Sequence, residues 1–157
     1  NKNSAENIIK DQGKAKLITS TNVFAHMSTL GDVMEGIVKL LDDDGYYCFE
    51  NHYIMEILKK VQYDTFYHEH LRTYSLISLI KHFEMYNLNL FHAQIVTRYG
   101  GSIRCIVSRR KIEKTENLKK LLEVEKNLLV ENVELTYENF VNKVNLSKKN
   151  LIEELKK

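Results

Sequence analysis

The chain has 157 residues, of which 43% are hydrophobic and 28% charged, the balance of one folded domain. Lysine plus arginine exceed aspartate plus glutamate by a net charge of +2, so no overall field exists to recruit nucleic acid or an anionic membrane. No apolar run is long enough to span a bilayer. The two cysteines, Cys48 and Cys105, exclude a disulfide scaffold and a multi-cysteine zinc cluster, which favours a cytoplasmic setting. Proline is absent, and Asn and Lys are abundant. The chain opens on Asn1 and stops inside a helical pattern, as a segment of a longer protein would.

Leu17-Ile18-Thr19-Ser20-Thr21 reads as a strand. Ser28 or Thr29 then caps a helix carrying Leu30, Val33, Met34, Ile37, Leu40 and Leu41 at helical spacing. Asp42-Asp43-Asp44-Gly45 reads as the turn that closes it, and Tyr46-Tyr47-Cys48-Phe49 as a second buried strand. Strand, helix, strand is a βαβ unit with a parallel pair and a right-handed crossover. A short helix follows over Ile54, Ile57, Leu58 and Val61, and Ser75 caps another over Leu76, Leu79, Ile80 and Phe83. Leu88–Val96 and Ser102–Ser108 read as an antiparallel hairpin around Tyr99-Gly100-Gly101. From Arg109 the composition turns Lys-rich and Gly-free, with leucines at helical spacing and Thr136 placed to cap a last helix.

The densest chemistry lies in Asp64-Thr65-Phe66-Tyr67-His68-Glu69-His70. Imidazole titrates near neutral pH, so His68 or His70 can serve as a general base. Glu69 can orient a ring, and Tyr67 can donate to a developing oxyanion. In a regular strand Tyr67 and Glu69 would face away from His68 and His70, so joint use requires irregular backbone. The same spacing allows His68 and His70 to share a metal, and it equally describes a solvated polar loop. A second cluster, Thr21-Asn22-Val23-Phe24-Ala25-His26, follows the first strand. It falls at the carboxyl edge where ligands bind in open parallel sheets. Glu50-Asn51-His52-Tyr53 reaches that edge from the second strand. Cys48 and Cys105 read as core.

These two clusters, with Gly100-Gly101-Ser102-Ile103-Arg104 after them, resemble the S-adenosylmethionine-dependent sugar C-methyltransferases, which act on nucleotide-linked ketodeoxysugars. The likeness covers residues 15 to 110 well and the following helices loosely. It implies an α/β fold: a partial Rossmann-like methyltransferase core with a C-terminal hairpin and helical extension. Residues 1–110 would be the second half of the core, and 111–157 a helical extension leading to a further domain. It implies His70 as the base, Tyr67 and Glu69 as its companions, and Asn22, His26 and His68 as substrate-binding residues. The implied reaction is methyl transfer to carbon in deoxysugar biosynthesis, through an enolate of a keto sugar.

The family's glycine-rich cofactor loop has no counterpart here, so the cofactor-binding residues stay unassigned and the isolated chain is expected to be inactive. Zinc belongs, in this family, to an N-terminal domain. The family usually has Pro where His52 stands, and often His where Tyr99 stands. Two other readings stay open: a non-catalytic sugar-nucleotide-binding module, and a metal-dependent hydrolase built on His68 and His70.

Overall fold

The computed structural model describes residues 2–97 and 100–157. Its centre is one four-stranded sheet in the order β1-β2-β4-β3, flanked by helices, a mixed α/β architecture. The elements are α1 (Lys2–Gln12), β1 (Ala15–Thr21), α2 (Leu30–Leu40), β2 (Leu41–His52), α3 (Ile54–Lys60), α4 (Leu76–Glu84), β3 (Asn89–Val96), β4 (Ser102–Ser108), α5 (Glu116–Lys126) and α6 (Val133–Leu155). Single 3₁₀ turns lie at Phe24–His26 and Tyr63–Thr65.

Strands β1 and β2 pair in parallel, Ile18 opposite Tyr47 and Thr21 opposite Glu50. Strand β4 pairs antiparallel with β2 and with β3, as the expected hairpin requires. One face of the sheet is the core. Phe24 stacks on Phe49 at 5.1 Å, and Phe49 packs on Phe83 at 5.2 Å, joining the 3₁₀ turn, β2 and α4. Aromatic contacts of this kind add about 0.5–1.5 kcal/mol each beyond area burial. Ile103, Cys105 and Val107 complete the face from β4 and are fully buried.

Four details differ from the sequence reading. Helix α1 has no counterpart in it: Ala5 is the one buried side chain of that helix, so its apolar periodicity is weak. Asp42-Asp43-Asp44-Gly45 lies within β2 rather than in a separate turn. Ala15 pairs with Leu41 and Leu17 with Tyr46, so the segment between them swells out as a bulge. Lys16 bonds Asp42 there at 3.0 Å, which draws the acidic residues onto β1. Cys48 is half-buried rather than core, whereas Cys105 is buried. Asn132, not Thr136, stands at the start of α6; Thr136 lies inside the helix and donates its hydroxyl to the Leu128 carbonyl at 2.8 Å.

Ser75 caps α4 as read, accepting from the Ser78 N–H while the Ser78 hydroxyl accepts in return. Tyr99 lies outside the described residues, while Gly100 and Gly101 both have positive φ. A Cβ on Gly101 would stand 2.7 Å from the Glu56 Cβ, so the close approach of the hairpin to α3 needs glycine. Among the described residues, no helix is long and apolar enough to cross a membrane.

Candidate active site

Three segments meet at the carboxyl end of β2. The 3₁₀ turn after β1 supplies His26, the last residue of β2 is His52, and the loop before α4 supplies Tyr67 and His70. Backbone bonds fix the arrangement. The Leu71 N–H donates to the Ala25 carbonyl at 2.9 Å, and the Ile54 N–H to the Tyr74 carbonyl at 3.1 Å. Arg72 donates to the carbonyl of Met27. The His26 and His52 rings stand 4.8 and 4.6 Å from the His70 ring, each edge-on.

The backbone from Tyr67 to His70 is the irregular one that joint use demands. It forms a turn in which the His70 N–H donates to the Tyr67 carbonyl at 3.0 Å. Both side chains therefore reach the same side, with the Tyr67 hydroxyl 3.2 Å from His70 Nε2. On the other side of the ring, Nδ1 lies 2.8 Å from the Thr65 carbonyl. A carbonyl can only accept, so Nδ1 of the neutral ring carries the hydrogen, and the Nε2 lone pair accepts from the Tyr67 hydroxyl. That is the tautomer a general base needs. Thr65 was legible only as a neighbour in the motif; its orienting role depends on the turn that brings its carbonyl back to the ring.

Glu69 and His68 are exposed. The Tyr67 ring meets the His68 ring at 5.9 Å, but no hydrogen bond or ion pair involving Glu69 is seen among the described residues. A metal built on His68 and His70 finds no support: no group of three His, Cys, Asp or Glu side chains among the described residues could hold a metal ion.

Asn22 closes β1 in a left-handed conformation, φ 52°, which Asn tolerates better than most residues. Its N–H donates to the Glu50 carbonyl at 2.9 Å. Its side-chain Oδ1 is buried without a hydrogen-bond partner among the described residues. Buried acceptors are normally satisfied, so an unpaired one at a ligand edge suits a donor from a bound molecule. Glu50, the last acidic residue of β2, is taken up by Arg104, whose Nε donates to it at 2.7 Å.

Burial lowers the proton affinity of His52, and the charges of His70 and His26 lower it further. His52 was not singled out as a site residue by the sequence reading. Its position at a strand's carboxyl end was the available signal, and the ring contact with His70 is what gives it meaning. An apolar cleft of about 460 Å³, lined by Tyr53, Leu58, Leu121 and Phe140 among others, lies elsewhere, and none of the site residues above borders it.

Residues 97–157 match the family described as "C-methyltransferase C-terminal domain". Over 98 residues the chain is 37% identical to the C-methyltransferase NovU of Streptomyces niveus, a stretch that is 62% of this chain and 23% of that protein. The chain thus spans about a quarter of the length of that relative. A magnesium protoporphyrin IX methyltransferase (ChlM) from Synechocystis PCC 6803, solved with bound SAH, aligns over 62% of this chain and 46% of its own at 15% identity and a TM-score of 0.43, a likeness too slight to carry an argument.

Proposed function

We propose that this chain belongs with the C-methyltransferases it matches and supplies the base and part of the substrate site for S-adenosylmethionine-dependent methyl transfer to carbon of a nucleotide-linked keto sugar. The observation that carries this reading is the His70 ring, held by the Thr65 carbonyl at Nδ1 with its Nε2 lone pair turned to the Tyr67 hydroxyl, the place a substrate proton would take. A base so placed removes a proton from the carbon beside a ketone. The C–H bond breaks, the proton goes to Nε2, and the electron pair moves to the carbonyl oxygen to give an enolate. Tyr67, 3.2 Å from the same nitrogen, is placed to hydrogen-bond the oxyanion that develops. Asn22 and His26 are assigned to the sugar nucleotide: Asn22 through its unpaired Oδ1, His26 through its contact with the base. Glu69 is kept as a companion of the base and His68 as a substrate-binding residue, as the resemblance implies; both are exposed.

S-adenosylmethionine supplies an electrophilic methyl group to such a carbon. The glycine-rich loop that the resemblance would give for it has no counterpart among these residues, so no residue of this chain is assigned to it. The chain's own part is therefore proton removal and substrate binding. We read residues 1–110 as the second half of a methyltransferase core and 111–157 as a helical extension from it. Incubation of the full-length enzyme with S-adenosylmethionine and a keto-sugar nucleotide, followed by mass spectrometry, tests the reading. A sugar heavier by one methylene supports it. An unchanged sugar that remains tightly bound would favour a binding module.

A further inference from the structure

We propose that His52 is a third imidazole of this site, a positioning residue whose ring, like that of His26, packs on His70, so that a proton on one of these rings opposes a proton on its neighbour. The catalytic consequence rests on the reading of His70 as the base; the opposition itself does not.

The geometry is specific. The three rings come from three elements: the 3₁₀ turn after β1, the end of β2 and the loop before α4. His70 meets His26 at 4.8 Å and His52 at 4.6 Å, with interplanar angles of 65° and 73°. The backbone bonds from Leu71 to Ala25 and from Ile54 to Tyr74 hold those elements together, so the three side chains start from neighbouring points of the backbone. At such separations a proton on one ring opposes a proton on its neighbour. The depressed proton affinity of His52, from burial first and then from the charges of His70 and His26, agrees with this.

Among the described residues, the other ionisable groups nearby are engaged elsewhere or exposed. Glu50, two residues back on the same face of β2, is neutralised by Arg104. Arg72 donates to the carbonyls of Met27 and Ser28. On α3, Glu56 is paired with Lys60 at 2.7 Å. From the loop, Tyr67 presents a hydroxyl, while His68 and Glu69 are exposed. In a reaction that needs a neutral base, the acidic limb of the rate profile would then belong to the cluster as a whole and not to one residue.

The test is a pH titration of the histidine ring resonances by NMR, on the isotope-labelled chain, in wild type, His70→Asn and His26→Asn. The midpoint of His52 should rise in both variants, and its wild-type curve should be broader than a single-site transition. His92, bonded to Thr115 at 3.1 Å in the hairpin layer, serves as the reference and should not move. If one variant does not fold, the other and the wild-type curve decide. A His52 that titrates as a single site with the same midpoint in a folded variant overturns the proposal. The measurement involves no turnover, so failure of the methyl-transfer reading would leave it intact, and its own failure would leave that reading standing.

Discussion

The Tyr53 hydroxyl donates to Glu125 Oε2 at 2.9 Å, joining the end of β2 to helix α5 across 72 residues of chain. Glu125 is wholly buried and also accepts the Leu76 and Ile77 N–H groups, at 2.8 and 2.7 Å. These are two of the free donors at the start of α4, where the helix dipole favours an anion. One carboxylate thus pins α5, α4 and the strand that carries His52. Burial together with the Glu125 charge pushes the Tyr53 phenol well above the ordinary tyrosine range, so it stays a donor.

Replacing Glu125 by Ala leaves that hydroxyl and two helix N–H groups without a partner. Each such buried group costs about 1–3 kcal/mol, so a total loss of about 3 kcal/mol or more is expected. For a chain of this size each kcal/mol lowers Tm by roughly 2–4 °C. Thermal melts of wild type, Glu125→Ala and Glu125→Gln check this, with Gln expected between the other two. A loss below about 1 kcal/mol for Ala contradicts the assignment of Glu125 as the common anchor.

Stability should fall on mild acidification. His82 packs edge-on against Phe24 at 6.3 Å and Tyr86 at 5.4 Å, and its Nε2 is buried without a partner among the described residues. Burial, and then the Arg72 charge, lower its proton affinity, and His52 is lowered too. Below an unfolded-state pKa of about 6.5 the unfolded chain binds protons that the folded one resists. Stability therefore rises with pH through that window and is lost as pH drops through and below it. Urea melts at mildly acidic and neutral pH should show this loss, and His82→Gln should reduce it. An undiminished loss in the variant would move the effect elsewhere.

Asn22 should act on substrate affinity. Asn22→Ala removes the unpaired Oδ1, and in the full-length enzyme KM for the sugar nucleotide should rise by roughly three- to tenfold, the worth of one neutral hydrogen bond. The dissociation constant of S-adenosylmethionine should stay close to wild type. Asn22→Gly, which accepts the left-handed backbone without strain, separates the lost oxygen from the cost of φ 52°. A matching loss of cofactor affinity in both variants would put Asn22 on the other ligand.

Much of the fold is local and so was legible. Ile103, Cys105 and Val107 alternate with half-buried neighbours on β4, and the leucines of α4 recur at helical spacing below a Ser75 cap. The bulge at 42–45 was not legible, because three aspartates and a glycine read as a turn until Lys16 and the register of β1 are known. Helix α1 was missed because a single alanine anchors it. At the site, the motif announced Tyr67 and His70, since both come from one turn. What it could not announce was which distant rings would pack on His70. His26 and His52 arrive from other segments, and only the backbone bonds at Ala25 and Ile54 bring them there. Nor did it separate Glu69 and His68, adjacent in sequence, from the ring they leave facing His26 and His52.

The central claim is that His70 takes the proton from carbon. The direct measurement is exchange of the substrate's α-hydrogen with deuterated water, followed by NMR, in the full-length enzyme and its His70→Asn variant. Exchange should be enzyme-dependent in wild type and lost in the variant, with kcat for methyl transfer down by about 10²–10⁴. The bound amount of S-adenosylmethionine should be unchanged. A folded His70→Asn enzyme that exchanges the hydrogen at the wild-type rate would contradict the account.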